Sequence, residues 1–171
     1  VRHCYAQTNA EGFRFCLYWR DIYFTLRLAY VELKVEEASS LVLFYDPQAL
    51  AATLDEPHNR RWLVRMGYPA AGMAEDFLRE LVRRARGETL PHEVGVFVGY
   101  PLKDVIGFVR RLPATPLHNG PWRVYGSAVE SLRRMRLYAR VEAWAARALS
   151  EAPSLEAFYA MIPPFQVTTQ Q

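Results

Sequence analysis

Lysine is nearly missing from this chain: Lys34 and Lys103 are the only two among 21 basic residues, so arginine carries the positive charge. Arginine stays charged at any working pH and grips carboxylates and phosphates as a bidentate fork. Cysteine is scarce too, with Cys4 and Cys16 alone. Two cysteines in a chain of this length do not make a disulfide framework, and no CxxC pair is present for zinc or redox chemistry. No apolar run approaches the ~20 residues that a bilayer-spanning helix needs. The opening stretch VRHCYAQTNAEGF has no apolar leader core and starts on Val1, not Met, so a trimmed or alternatively started cytoplasmic protein is expected. A net charge of +3 is too small to imply nucleic-acid binding.

What remains is a rich core composition. Of 171 residues, 51% are hydrophobic and 13% aromatic, with 23% charged. A chain of this size buries roughly 70% of its unfolded surface, enough for one domain without staples. The expectation is a single domain over residues 1–171, loosely ordered at 1–12 and 163–171.

Periodicity supplies the elements. The aromatic segment FRFCLYWRDIYFTLRLAY fits neither period cleanly, and a helix is expected over its second half. Val31, Leu33 and Val35 alternate with Glu32, Lys34 and Glu36, the pattern of a half-buried strand. A turn and the apolar run Leu41 to Tyr45 complete an antiparallel hairpin. Asp46-Pro47 opens a helix, since Asp caps and Pro fits the first helical position. Helices follow over 48–54 and over 57–66, the latter closed by Gly67, and MAEDFLRELVRRAR makes an amphipathic helix ended by Gly87. The valine-rich stretch Val94 to Val98 reads as a buried strand between His92 and Tyr100, and 102–111 as a short helix. Trp122 to Tyr125 reads as a further short strand, and a long helix runs from Ala128 to about Leu149. The expected fold is α/β (mixed α+β): one sheet of about four strands in the order ββααβαβα, with helices packed on it.

The block PHEVGVFVGYPLKDVIGFV, with WRVYGS downstream, resembles the signature of a family of uncharacterised bacterial proteins, which reads PHEIGLFLGYPLEDVxGFI followed by WKVYG. The likeness extends over most of the chain. It implies a domain of unknown function and brings no activity with it. A second family element near the N-terminus is similar to HCAPTLAGLK; here His3 and Cys4 are kept, but the chain continues YAQTNAEG.

Two readings of the reactive residues stay open. In the first, Cys4 is a nucleophile and His92 its base, as in papain-like thiol hydrolases and acyltransferases, with Asn119 or Asp104 orienting the imidazole. That reading needs His92 at the head of a strand. In the second, Cys4 lies in a frayed terminus and His92 merely bonds a carbonyl at a strand entrance. A metal site from His3, Cys4, Cys16 and His92 lacks the close local spacing that zinc ligands show, so no metal is expected. Gly95, Gly99 and Gly107 form neither GxGxxG nor a Walker loop, so no nucleotide cofactor is expected.

The arginines of the last helix and of the central one read as solvated faces balanced by acids, or as surfaces for RNA, DNA or an acidic partner, nucleic acid being disfavoured by the low net charge. The leading functional expectation is a cytoplasmic accessory or ligand-binding protein. Its site is placed at His92, Glu93, Gly99, Tyr100, Pro101 and Trp122, where a sharp turn leaves a strand end. Its occupant is a small molecule or a protein, not a membrane and not nucleic acid. A third class is a homodimer formed through Phe13, Phe15, Tyr18, Trp19 and Tyr23.

Overall fold

A computed structural model describes residues 28–36, 39–112 and 120–162. Strands β1 (Ala29–Glu36) and β2 (Ser39–Tyr45) pair antiparallel, with Val31 opposite Leu43 and Tyr30 opposite Phe44. The register shifts between Glu32 and Lys34, leaving Leu33 without an opposite residue. Such a bulge reverses the side-chain alternation beyond it. Leu33 is therefore buried, whereas Val35, expected beside it, is 65% exposed.

The helices start where short acids meet prolines. In α1 (Pro47–Asp55) the Asp46 carboxylate accepts from Ala49 N at 2.8 Å; in α2 (Pro57–Arg65) Glu56 accepts from Asn59 N at 2.8 Å. Both caps satisfy a backbone donor that has no partner within the helix. Helix α3 (Ala74–Ala85) turns Phe77, Leu78, Leu81 and Ala85 inward and packs against β1. These meet Leu50 and Leu54 of α1 and Trp62 and Leu63 of α2 in one apolar core.

The valine-rich block differs from the sequence expectation. Val94–Phe97 is a single turn of helix, α4, with Val96, Phe97 and Val98 buried in that same core. A short run that is apolar on every side suits a buried helix as well as a buried strand, so periodicity could not separate them. Residues 122–125 likewise join no sheet: Tyr125 N donates to the side chain of Asp104 at 2.9 Å instead of to a neighbouring strand. Among the described residues the sheet has two strands, not four, and the fold is a mixed α+β arrangement of seven helices around a hairpin. The remaining helices are α5 (Leu102–Val109), α6 (Val129–Glu151) and α7 (Leu155–Met161). The helix expected before residue 28, and the two termini for which loose order is expected, lie outside the described residues.

Three helix ends share one device. After α2, Tyr68 N reaches back to Leu63 O and Gly67 N to Val64 O; after α4, Tyr100 N reaches Gly95 O and Gly99 N reaches Val96 O. After α5, Leu112 N reaches Gly107 O and Arg111 N reaches Phe108 O. This paired closure needs a left-handed residue, and φ is +90° at Gly67, +81° at Gly99 and +53° at Arg111. Glycine adopts that conformation freely, while a residue with a Cβ is strained there. Replacing Arg111 by Gly should therefore raise unfolding stability by roughly 0.5–1 kcal/mol. Gly107→Ala should cost about 2 kcal/mol, because its Cβ would run into the Tyr125 ring. Urea unfolding of the two variants checks both signs.

Candidate functional site

The block from Pro91 to Pro101 sits between two buried ionic clusters. On one side Glu93, itself buried, accepts from Arg84 Nη1 at 3.0 Å and from the Tyr68 hydroxyl at 3.4 Å. Arg84 also donates to Glu80 at 2.7 Å and to Met66 O at 2.8 Å, and its guanidinium lies 4.4 Å over the Tyr68 ring. The arginine thus ties the closure of α2, the last turn of α3 and the start of α4 together. Burial drives the Tyr68 phenol far above its ordinary range and the Glu93 charge adds to this, so it stays a donor. Glu80 is pulled down to about 2, chiefly by its hydrogen bond from Arg83; burial opposes this and Arg84 assists it.

On the other side stands Asp104, 2% exposed, in the first turn of α5. Its Oδ1 accepts from Lys103 Nζ at 2.7 Å and from Tyr125 N at 2.9 Å. Its Oδ2 accepts from Trp122 Nε1 at 2.9 Å and from the Ser131 hydroxyl at 2.6 Å. One carboxylate therefore holds α5, the 122–125 segment and the first turn of α6. Burial alone would push this carboxyl upward, but the hydrogen bonds from Lys103, Ser131, Tyr125 and Trp122 prevail and hold it below its usual range.

A serine beside a lysine is also the signature of a nucleophile and its base. Here the chemistry is saturated. Ser131 has no exposed surface and gives its proton to Asp104. Lys103 Nζ directs its three donors to Asp104, to Tyr125 O at 3.0 Å and to the Ser131 oxygen at 2.7 Å. The cluster braces the fold.

Each residue placed at the site by sequence now has a position. His92 is exposed in a turn ahead of α4 and meets the Phe108 ring edge-on at 4.8 Å. Tyr100 stacks on Trp122 at 4.3 Å between ring centres, and Tyr138 of α6 meets the other ring edge of Trp122 at 5.8 Å. Gly99 O accepts from Arg134 Nη1 at 2.6 Å, and Pro101 is fully buried with its carbonyl accepting from Asp104 N. Tyr100, Trp122, Gly99 and Pro101 thus come together, Glu93 turns inward to Arg84, and His92 faces a different ring. The strand that the papain-like reading requires after His92 is a helical turn, and Asp104 is engaged by four other donors. Cys4, Cys16, His3 and Asn119, together with the aromatic set from Phe13 to Tyr23, lie outside the described residues.

Sequence reasoning assigned no role to Tyr68 or Ser131, counted Arg84 among the arginines of a solvated or binding face, and set Tyr138 only on another face of the last helix. One signal was present: the tripeptide Gly-Tyr-Pro occurs twice, at 67–69 and at 99–101. The first had been recognised as a helix end, and the second closes a helix in the same way.

A family defined by sequence spans residues 4–159 and is described as a protein of unknown function, DUF3793. The chain belongs to that family. No curated protein and no solved structure matches it. Among the described residues no cluster of three or more His, Cys, Asp or Glu is arranged to hold a metal ion. Among the same residues no helix is long and apolar enough to cross a membrane.

The two ionic clusters should fail differently. Asp104→Ala leaves the Lys103 ammonium beside a gap and should cost about 3–5 kcal/mol, read by chemical denaturation at neutral pH. Because the folded-state value of Glu80 is depressed from 4.5 to about 2, its contribution is complete above pH 4.5 and is lost as pH falls toward 2. Glu80→Gln should therefore lower stability near neutral pH and flatten its decline on acidification to about pH 3.

Proposed function

We propose that this protein is a cytoplasmic accessory protein, folded as one domain over residues 1–171, that works by binding a ligand or partner rather than by catalysis. The observation that carries this reading is the aromatic shelf formed where the family's signature block meets α6. Tyr100, Trp122 and Tyr138 are each only partly buried, their rings are in contact, and Arg134 stands beside them on Gly99 O. Partly exposed aromatic rings offer a large apolar face with polar tips, which suits recognition of planar or apolar groups.

The frame beneath the shelf supports the same conclusion. Asp104, Lys103 and Ser131 fix Trp122 through hydrogen bonds that leave no group poised to move a proton. The thiol-enzyme alternative, with Cys4 and His92, retains the order of its residues along the chain and loses its strand. The proposed ligand-binding neighbourhood is still that of His92, Glu93, Gly99, Tyr100, Pro101 and Trp122, but the contact surface in it is Tyr100 and Trp122 with Tyr138 and Arg134 added from α6, while Gly99 and Pro101 shape the turn, Glu93 faces inward and His92 stands against Phe108.

Saturation-transfer NMR with a panel of planar aromatic small molecules tests the shelf directly. Transfer should be seen with the native protein and be lost in Tyr100→Ala, while far-ultraviolet circular dichroism of the variant stays native. If Tyr100→Ala and His92→Ala both leave ligand transfer, partner retention and cellular phenotype intact, the site assignment fails.

A further inference from the structure

Helix α6 presents a second surface, on the side away from the shelf. At 100° per residue, Ser131 and Tyr138 lie on the packed side, where Ser131 is buried, while Ala148, also buried, falls about 100° round the helix, beside Leu137 and Trp144. Opposite Ser131 and Tyr138 lie Val129, Arg133, Arg136, Arg140, Trp144 and Arg147. Arg133, Arg140 and Arg147 recur at heptad spacing, as do Leu137 and Trp144, so an arginine row runs beside an apolar row. Val129 is 77%, Leu137 52% and Trp144 37% exposed. The one ion pair that α6 makes among the described residues joins Arg134 to Glu130, so the four outward arginines carry no carboxylate partner there. The acids on this side are Glu130, seven residues before Leu137 and paired with Arg134, and Glu151 at the end of the helix, so no acid falls between Val129 and Glu151 within the row of the four arginines. A groove of about 720 Å³ lies along Val129 to Arg140, with the Glu130–Arg134 pair in its wall.

From this face we infer that α6 docks a protein partner whose own helix carries an apolar row flanked by Asp or Glu. Charge complementarity requires an anionic occupant, since four uncompensated guanidiniums repel a cationic one. A second copy of this face is excluded on the same ground, because antiparallel pairing would set arginine against arginine. The apolar row separates the remaining anions. A nucleic-acid backbone offers nothing to Val129 or Leu137, and the net charge of +3 gives little long-range attraction to it. A partner helix satisfies both rows at once, with apolar residues against Leu137 and Trp144 and carboxylates forking onto Arg133, Arg136 and Arg140. Tryptophan and arginine are also the residues in which interface hot spots are enriched. This inference uses the outward side of α6 and stands or falls separately from the aromatic shelf.

The test uses a fluorescent four-heptad peptide with Leu on its apolar row and Glu on both flanks. Its comparators are the same peptide with Lys flanks, an oligothymidylate, and phosphatidylserine vesicles. Anisotropy should show saturable binding of the acidic peptide, weakened by salt and absent for the Lys peptide. Arg136→Glu with Arg140→Glu should weaken it by about tenfold or more, and Leu137→Ala with Trp144→Ala should weaken it as well. Arg86→Glu, on an exposed site of another helix, should leave it unchanged, and thermal unfolding of all variants reports that they remain folded. Failure of the acidic peptide to bind, indifference to the arginine reversals, or tighter binding of the oligonucleotide or the vesicles overturns the inference. Tyr100→Ala should leave peptide binding intact, which keeps this result distinct from that of the shelf.

Discussion

A buried carboxylate has to be surrounded by donors or it does not stay buried, and Asp104 imposes that demand on everything around it. An isolated charge in a low-dielectric interior costs several kcal/mol, so each oxygen draws in two donors. Those donors come from three separate stretches of chain: Lys103 beside it, Trp122 and Tyr125 some twenty residues on, and Ser131 on α6. Their convergence fixes where α6 crosses the rest of the molecule. It also turns the Trp122 ring toward Tyr100, which places the shelf. Fold and proposed site thus share one origin, and the residues around Asp104 serve the frame first.

The Arg84 cluster does the corresponding work on the other flank. Its guanidinium reaches Glu80, Glu93 and a backbone carbonyl while lying over an aromatic ring, so the charge is dispersed over four partners. Arginine is suited to this because its donors are held in a rigid plane. A lysine in that position would serve one or two of these groups and leave the others short. The chain's preference for arginine therefore has at least one structural use, independent of the outward face of α6.

Much of the architecture could be read from residue order. The hairpin, the acid-proline helix starts and the stripe of α3 all rest on local periodicity and local capping, which act within a few residues. What could not be read depends on contacts distant in sequence. Val94 to Val98 is apolar throughout and buried from Gly95 on, and a run of that kind carries no period with which to tell a helical turn from a strand. Trp122 to Tyr125 resembles a strand, but its backbone donor is taken by a side chain some twenty residues away. The site was legible as a neighbourhood and not as a geometry. Gly99, Pro101 and Trp122 do gather around Tyr100, but Glu93 faces the interior and His92 a separate ring. The bulge at Leu33 is another such case, since one unpaired residue reverses the side of the sheet on which Val35 falls.

The brevity of α4 has a consequence for how the molecule assembles. One helical turn cannot nucleate by itself, because the first hydrogen bond does not compensate for the chain freedom it removes. Its shape is held instead by Val96 and Phe97 inserted among the earlier helices and by the closing bonds at Gly99. This valine-rich turn thus acquires its form only once the surrounding core has condensed. The stacking of the rings beside it is therefore a property of the finished fold alone, present only after the closing bonds at Gly99 have formed.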